Sequence, residues 1–215
     1  MNPNVTFKTV GLATAFVSIA GATRLLAQPA PAASYVTMDQ GRQLDSLGGY
    51  LVARAAAFEH RMAALILDDG IYDFHAAFAG SVPPFIGSWI EEGRDDVAVP
   101  VLTMLTTIST QVRWGLRNGM WVFGADSFAD LLRRVKDYTL DGIAHQIVAP
   151  TLILDPENDQ YLKGQPQLVE KALTGASTTL VTLTENEGAG EHTHAGGLGR
   201  AHQTMFDWLD ATLFA

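Results

Sequence analysis

Three residue types that together perform nucleophilic hydrolysis occur along the chain in the order serine, acid, histidine. Ser46 precedes an alanine-rich helical pattern in LDSLGGYLVARAAAFEHR. At a helix N-terminus, the dipole and the free N–H groups stabilise a developing oxyanion. Ser46 is therefore a candidate nucleophile, with the backbone N–H of Leu47 as a candidate oxyanion donor. The alternative is an ordinary helix cap, in which the Ser46 hydroxyl accepts a backbone N–H.

The candidate acid lies in the polar turn of LILDPENDQYL, directly after a short apolar run. This turn carries Asp155, Glu157 and Asp159. Position favours Asp159, deepest in the turn, over Asp155 at the strand end. An acid in such a place orients a histidine and stabilises its charged form. The alternative is a solvated loop, where acids and asparagine are common because they favour turns.

The candidate base lies in EGAGEHTHAGG, whose glycines predict a loop that approaches other groups closely. His192 and His194 are two residues apart, so they share a face if the segment is extended. We take His192 as the base and His194 as the second choice. The alternative is a metal site formed by both histidines with Glu187 or Glu191, although a third distant ligand is lacking.

The elements that must position these residues alternate between strands and helices. Apolar or alternating runs predict strands in MAALILDDG, at Thr151–Leu154 and in STTLVTLTE. Such an order implies a parallel sheet in an α/β fold, with loops meeting at the carboxyl ends of the strands. Helical patterns occur in GYLVARAAAFE, in FADLLRRVKDYTL, in QPQLVEKALTG with Gly175 as its C-cap signal, and in RAHQTMFDWLDATLF.

A mostly helical insertion, at about residues 74–141, separates the first two of these strands. Breakers occur in it at SVPP and GRDD, and we expect it to form a helical cap. Its tryptophans either shape an apolar acyl pocket or pack in the core of the cap, and packing is the favoured interpretation. They are Trp89, Trp114 and Trp121.

The N-terminal segment has a different character from the rest. Lys8 precedes the apolar stretch Thr9–Ala22, and Ala30-Pro31-Ala32 follows as a small-residue site, the layout of a secretory signal. An N-terminal helix or a disordered segment is the alternative. We predict a leader over 1–33 and a partial hydrolase domain over 34–215. A processed leader implies a periplasmic or secreted protein, and an unprocessed one a cytoplasmic protein.

The composition excludes several classes of function. With 215 residues, 47% of them hydrophobic and 17% charged, the chain suits one globular domain. The net charge of −9 and the lack of a Lys/Arg cluster argue against nucleic acid and anionic membranes as partners. Cysteine is absent, which excludes disulfides and thiolate catalysis. We expect no cofactor, no metal and no permanent membrane span, and a small molecule as the partner.

Together these segments resemble the C-terminal half of an α/β-hydrolase of the esterase/acyl-peptidase type. The likeness is closer to the group of 2,6-dihydropseudooxynicotine hydrolase and the fungal polyketide-shortening hydrolases, and SLGGYLVARAAAFEHR, LILDDGIYDF, APTLILDPENDQYLKGQPQLVEKAL and EGAGEHTHAGG carry it. It implies Ser46 as nucleophile, Asp159 as acid and His192 as base. The implied reaction is hydrolysis of an ester, an amide or a ketone-adjacent C–C bond of a substrate with an apolar acyl part. An extra acid assists in some members, in the region of Asp69 and Asp73.

Two features depart from the family pattern. Leu44 replaces the first glycine of the G-x-S-x-G elbow. The preceding YVTMDQGRQLDS contains no apolar run for a buried strand, and a βαβ unit takes about 30 residues. We therefore expect a truncated α/β-hydrolase with a small, mostly parallel sheet. The alternative function is a catalytically impaired remnant that lacks its oxyanion loop and serves in binding or in homo-oligomers along an exposed sheet edge.

Overall fold

The described part of the chain is built on a small parallel β-sheet. The computed structural model describes residues 12–13, 47–80 and 82–214. Four strands pair in the order β1-β2-β3-β4, every pair parallel. The expected α/β fold class with a small parallel sheet is thus confirmed. The strands are β1 (Leu12–Ala13), β2 (Ala64–Leu67), β3 (Thr151–Pro156) and β4 (Thr178–Leu183).

Burial explains why the two central strands were recognisable. Every residue of β2 is buried, and so is most of β3, as expected for parallel strands covered on both faces. Leu65 pairs with Thr151, and Thr151 pairs with Thr178. Because this register aligns the strands, the loops after β2, β3 and β4 emerge at one edge of the sheet.

Three helices flank the sheet, and each was expected from the sequence. They are α1 (Leu47–Ala56), α7 (Gln165–Ala172) and α8 (Leu198–Leu213). The C-cap assignment for α7 was wrong, because the cap is Leu173 and not Gly175. A side chain at Gly175 would put its Cβ 2.5 Å from the His145 carbonyl oxygen, so this glycine permits a close backbone approach.

The chain divides into two compact units, and the second is the contiguous segment Asp73–Thr139. Ser109 splits its long central region into two helices, because its hydroxyl accepts the N–H of Val112 as an N-cap. Pro83 of the breaker SVPP is the N-cap of the helix Pro84–Glu91, and Arg94 of the breaker GRDD is the N-cap of the helix Asp95–Ile108. The helices of unit 2 are α2 (Phe74–Ala79), α3 (Pro84–Glu91), α4 (Asp95–Ile108), α5 (Thr110–Phe123) and α6 (Phe128–Arg134).

Unit 2 has its own apolar core, which includes fully buried Ile86 and Leu102. Trp89 packs against this core, as the favoured interpretation expects. That interpretation is wrong for Trp114 and Trp121, which are 64% and 82% exposed. A cavity of about 210 Å³ also lies within unit 2, and none of the candidate catalytic residues line it.

Several sequence predictions fall on residues that the structure does not describe. Ser46 and Leu44 lie outside the described residues, and so does the predicted leader apart from Leu12–Ala13. Within the described ranges, no helix combines the length and the hydropathy needed to cross a bilayer.

Candidate active site

Acids and histidines meet where the strands of the sheet end. Asp68 and Asp69 follow β2 directly, and Asp159 lies in the turn after β3. His192 and His194 belong to a short 3₁₀ turn in the loop after β4. The aligned carboxyl ends of parallel strands therefore bring together groups far apart in the chain.

Asp159 and His192, both singled out from the sequence, form a hydrogen-bonded pair. His192 Nδ1 lies 2.8 Å from Asp159 Oδ2. Asp159 Oδ1 accepts the N–H groups of Tyr161 and Leu162 at 2.7 and 3.0 Å. Burial favours the neutral acid, but the hydrogen bonds from His192, Leu162 and Tyr161 outweigh it and lower the pKa of Asp159. Asp159 is therefore a carboxylate at neutral pH.

The ionised acid fixes the tautomer of the imidazole. A carboxylate only accepts hydrogen bonds, so His192 Nδ1 carries a proton, and in the neutral imidazole Nε2 therefore carries the lone pair. The His192 side chain is 24% exposed, and the Tyr161 ring makes an edge contact with the imidazole at a centroid distance of 4.9 Å. This is the tautomer, and the partial exposure, that a general base requires.

A second carboxylate, that of Asp69, lies against the same imidazole. Asp69 Oδ2 is 3.3 Å from His192 Nδ1 and accepts the N–H of Thr193 at 3.1 Å. Burial above all, with the neighbouring charge of Asp68, raises the pKa of Asp69 to about 7 against the opposing influence of His192. The sequence placed the extra acid in the region of Asp69 and Asp73. Asp73 is a helix cap, because its side chain accepts the N–H of Ala76 at the start of α2.

Backbone strain is concentrated at this cluster. In the described part of the chain, the non-glycine residues with positive φ are Asp69 (58°), Thr193 (53°) and His194 (54°). Each such residue costs about 1–3 kcal/mol and persists only where its surroundings hold it. The loop is also tightly packed, as its glycines predicted: a Cβ on Gly197 would lie 2.4 Å from the carbonyl oxygen of Gly188.

His194 faces different partners from His192, because the segment is a turn and not extended. Its side chain is fully buried, and its Nδ1 lies 2.8 Å from the Ala189 carbonyl oxygen. Its Nε2 lies 3.3 Å from Asp68 Oδ1 and 4.0 Å from Asp69 Oδ1. His194 is thus enclosed among acids, where a substrate proton has no direct access.

The first helix lies directly against the acid of β2. A Cβ on Gly49 would lie 2.1 Å from the backbone oxygen of Asp69, so only glycine permits this approach of α1. The first residue of α1 is Leu47, the candidate oxyanion donor.

The remaining acids of these loops have structural partners. Asp155 accepts hydrogen bonds from the side chains of Gln167 and Thr182, and Glu157 accepts the N–H of Glu185. These bonds tie the turn after β3 to its neighbours.

The alternative of a metal site with Glu187 or Glu191 finds no support in the geometry. Among the described residues, the imidazoles gather with Asp68, Asp69 and Asp159. Glu187 accepts the N–H of Thr184. The His192 nitrogen that faces Asp69 and Asp159 is Nδ1, which carries a proton toward Asp159, so it has no lone pair for a metal shared with these two acids.

The raised pKa of Asp69 predicts a stability that depends on pH. The folded state holds a proton on Asp69 up to about pH 7, whereas the unfolded chain releases it near pH 3.8. The contribution of this residue therefore falls as pH rises from about 4 to 7, by at most about 4 kcal/mol. Relative to the wild type, we expect Asp69→Asn to gain stability progressively between pH 4 and pH 7.

Urea unfolding at pH 5 and pH 8 checks this expectation. The matched control is Asp207→Asn, an exposed acid on α8, for which the difference from the wild type should be the same at both pH values. If the unfolding free energies of Asp69→Asn and the wild type differ by the same amount at pH 5 and at pH 8, the Asp69 carboxyl does not hold a proton in the folded state as predicted.

Comparison with known proteins gives one consistent result. No family model matches the chain. It is 33% identical over 175 residues to hydrolase LUC6 of a Fusarium species, and 32% identical to 20-hydroxy-prefusarin hydrolase FUS2 of Gibberella moniliformis. It is 27% identical over 183 residues to the alpha/beta hydrolase psoB of Aspergillus fumigatus. The matches cover 77–78% of this chain and 40–42% of each relative, so the chain spans about two fifths of their length.

Proposed function

Because this chain belongs to the α/β-hydrolase superfamily, we propose that it is a serine hydrolase with Ser46 as nucleophile, Asp159 as acid and His192 as base. The observation that carries the proposal is the 2.8 Å contact between His192 Nδ1 and the ionised Asp159. It leaves Nε2 as the basic nitrogen, the atom that takes a proton in this chemistry.

The proposed reaction proceeds in two halves. His192 Nε2 takes the proton of the Ser46 hydroxyl while the serine oxygen attacks the carbonyl carbon of the substrate. The resulting imidazolium, stabilised by Asp159, gives this proton to the leaving group as the bond to it breaks. Water then attacks the acyl-enzyme with His192 again as base, and Ser46 is released with its proton restored.

Stabilisation of the oxyanion is assigned to the start of α1. Leu47 is the first residue of this helix, so its N–H is unused by the helix and carries the positive end of the dipole. One such donor contributes about 10²–10³ in rate. Ser46 precedes Leu47 in the sequence, which suits a nucleophile whose successor supplies the donor.

For the substrate, we propose a small molecule with an apolar acyl part, cleaved at an ester, an amide or a ketone-adjacent C–C bond. The name of FUS2 specifies 20-hydroxy-prefusarin as what that relative hydrolyses. Unit 2, the segment Asp73–Thr139, is the proposed cap.

A fluorophosphonate probe tests the nucleophile directly, because it phosphonylates activated serines. We expect the full-length chain to be labelled and Ser46→Ala to remain unlabelled. The matched control is Ser127→Ala, since Ser127 is an ordinary helix cap whose hydroxyl accepts the N–H of Asp130. Absence of labelling in the folded wild type, or labelling that survives Ser46→Ala, would contradict the proposal.

A further inference from the structure

The imidazole of His194 sits in an arrangement that requires a positive charge. A carbonyl oxygen only accepts, so the 2.8 Å contact with Ala189 places a hydrogen on Nδ1. A neutral ring would then point its Nε2 lone pair at the carboxylate oxygen Oδ1 of Asp68, 3.3 Å away, with Asp69 Oδ1 at 4.0 Å. Lone pairs and carboxylates repel, so a proton or a cation must lie on Nε2.

The distances favour a proton. A metal ion about 2.1 Å from each atom would accept the pair His194 Nε2 and Asp68 Oδ1 at an angle of roughly 104°, but would open the angle to Asp69 Oδ1 to roughly 145°, far from tetrahedral. The side chains of His194 and Asp69 are both 0% exposed, which leaves no room for the water ligands of a hydrated ion. A proton on Nε2 supplies the same positive charge and imposes no coordination geometry.

We propose that His194 is a positioning residue for the hydrolase site: a buried imidazolium that offsets the charge of Asp68, and that of Asp69 where Asp69 is ionised, and anchors the turn that carries His192. The positioning role rests on the proposed function, whereas the charge state of His194 does not. The acids that face this imidazole are Asp68 and Asp69, at the end of β2. The charge of Asp159 acts on Asp69.

The turn shows how the anchor reaches the base. The N–H of His194 donates to the Glu191 carbonyl at 2.8 Å, and the N–H of Thr193 donates to Asp69 Oδ2 at 3.1 Å. Both Thr193 and His194 are left-handed, so these bonds and the buried ring hold a strained backbone. Loss of the imidazolium charge makes an ionised Asp69 costlier to bury, which weakens the bond to Thr193 and frees His192 to rotate.

Nuclear magnetic resonance of the full-length chain tests the charge state without reference to activity. Long-range ¹H–¹⁵N spectra should show both nitrogens of His194 protonated from pH 6 to pH 8, with the signal identified by its loss in His194→Gln. His192 should show a proton on Nδ1 and a lone pair on Nε2. An unprotonated Nε2 on His194, or one equivalent of metal retained through dialysis against a chelator, would overturn the proposal.

A charge-matched pair of variants tests the positioning role. We expect His194→Gln to lower the rate of fluorophosphonate labelling by about 10- to 100-fold and to lower the melting temperature, because it leaves the carboxylate of Asp68, only 11% exposed, without its countercharge. Adding Asp68→Asn removes that charge as well, so the double variant should recover most of both losses. The control is His202→Gln, an exposed histidine on α8, which should change neither.

The outcomes separate the two proposals. An unchanged labelling rate in His194→Gln, or a double variant no better than the single one, would refute the positioning role. If the wild type is never labelled, the hydrolase proposal and with it the positioning role fail, while the spectra and the melting temperatures still decide the charge state. If His194→Gln does not fold, the wild-type spectra and the recovery of folding by Asp68→Asn decide the role of the charge.

Discussion

Replacing His192 by alanine is expected to lower the rate of hydrolysis of an activated ester by about 10⁴-fold, because the variant loses the proposed general base. The side chain is 24% exposed and contributes little to the core. We therefore expect the melting temperature of the variant to stay close to that of the wild type. The rate of p-nitrophenyl butyrate hydrolysis, measured on protein of verified fold, checks the prediction.

Two comparisons make this prediction specific to His192. His202→Ala removes an exposed histidine from α8 and should leave the rate unchanged. If the ester is still hydrolysed at near the wild-type rate in His192→Ala, then neither the 2.8 Å contact with Asp159 nor the resulting tautomer serves catalysis. His194 cannot act as the base in His192→Ala, because its ring is fully buried.

The sheet and the contact between Asp159 and His192 were predictable from the sequence for one physical reason. Parallel strands covered on both faces are apolar runs, so β2 and β3 stand out, and the loops that follow them must share an edge. An acid in the turn after β3 and a histidine in the loop after β4 were thus bound to come close. Choosing Asp159 over Asp155 needed only their positions in the turn.

The role of Asp69 was beyond sequence reasoning, because it depends on backbone conformations that side-chain patterns do not encode. Asp69 and Thr193 both have positive φ, which non-glycine residues adopt rarely. The contact of Asp69 Oδ2 with the N–H of Thr193 follows from those conformations. An acid pair ahead of a glycine, the DDG after β2, was the available signal, and it pointed to the region but not to the residue.

Exposure of the unit 2 tryptophans was unpredictable for a different reason. Helical spacing identifies which residues share a face, but not whether a neighbour covers that face. Trp89 meets the core of unit 2, while Trp114 and Trp121 on α5 remain exposed. Large apolar residues are found on protein surfaces often enough that residue type alone decides nothing.

Gly49 shows how the first helix and the site depend on one another. Because Gly49 has no side chain, the backbone oxygen of Asp69 can lie directly against it. The start of α1 and the end of β2 are therefore in direct contact. Asp69 also accepts the N–H of Thr193, in the turn that carries His192. The candidate oxyanion donor and the base are thus linked through one buried residue.

Replacing Asp159 by asparagine is expected to lower the hydrolysis rate by about 10⁴-fold below pH 7, since the amide can favour the wrong imidazole tautomer and carries no charge. Asp69 lies 3.3 Å from the same Nδ1 and has a pKa of about 7 in the wild type, which loss of the neighbouring Asp159 charge lowers. Once ionised it can accept the Nδ1 proton and stabilise the imidazolium, so above pH 7 the loss should shrink by roughly tenfold.

The double variant Asp159→Asn with Asp69→Asn tests whether the recovery above pH 7 depends on the Asp69 carboxylate or is a general effect of pH. It should lack the partial recovery above pH 7, and its rate should stay at or below that of Asp159→Asn at pH 6. Profiles of ester hydrolysis from pH 5.5 to pH 9, normalised to the wild type, supply the measurement. Equal recovery in the single and double variants would show that Asp69 only braces the turn through Thr193. A recovery seen only in Asp159→Asn would show that Asp69 replaces Asp159 as the carboxylate partner of His192, because the two variants differ only at residue 69.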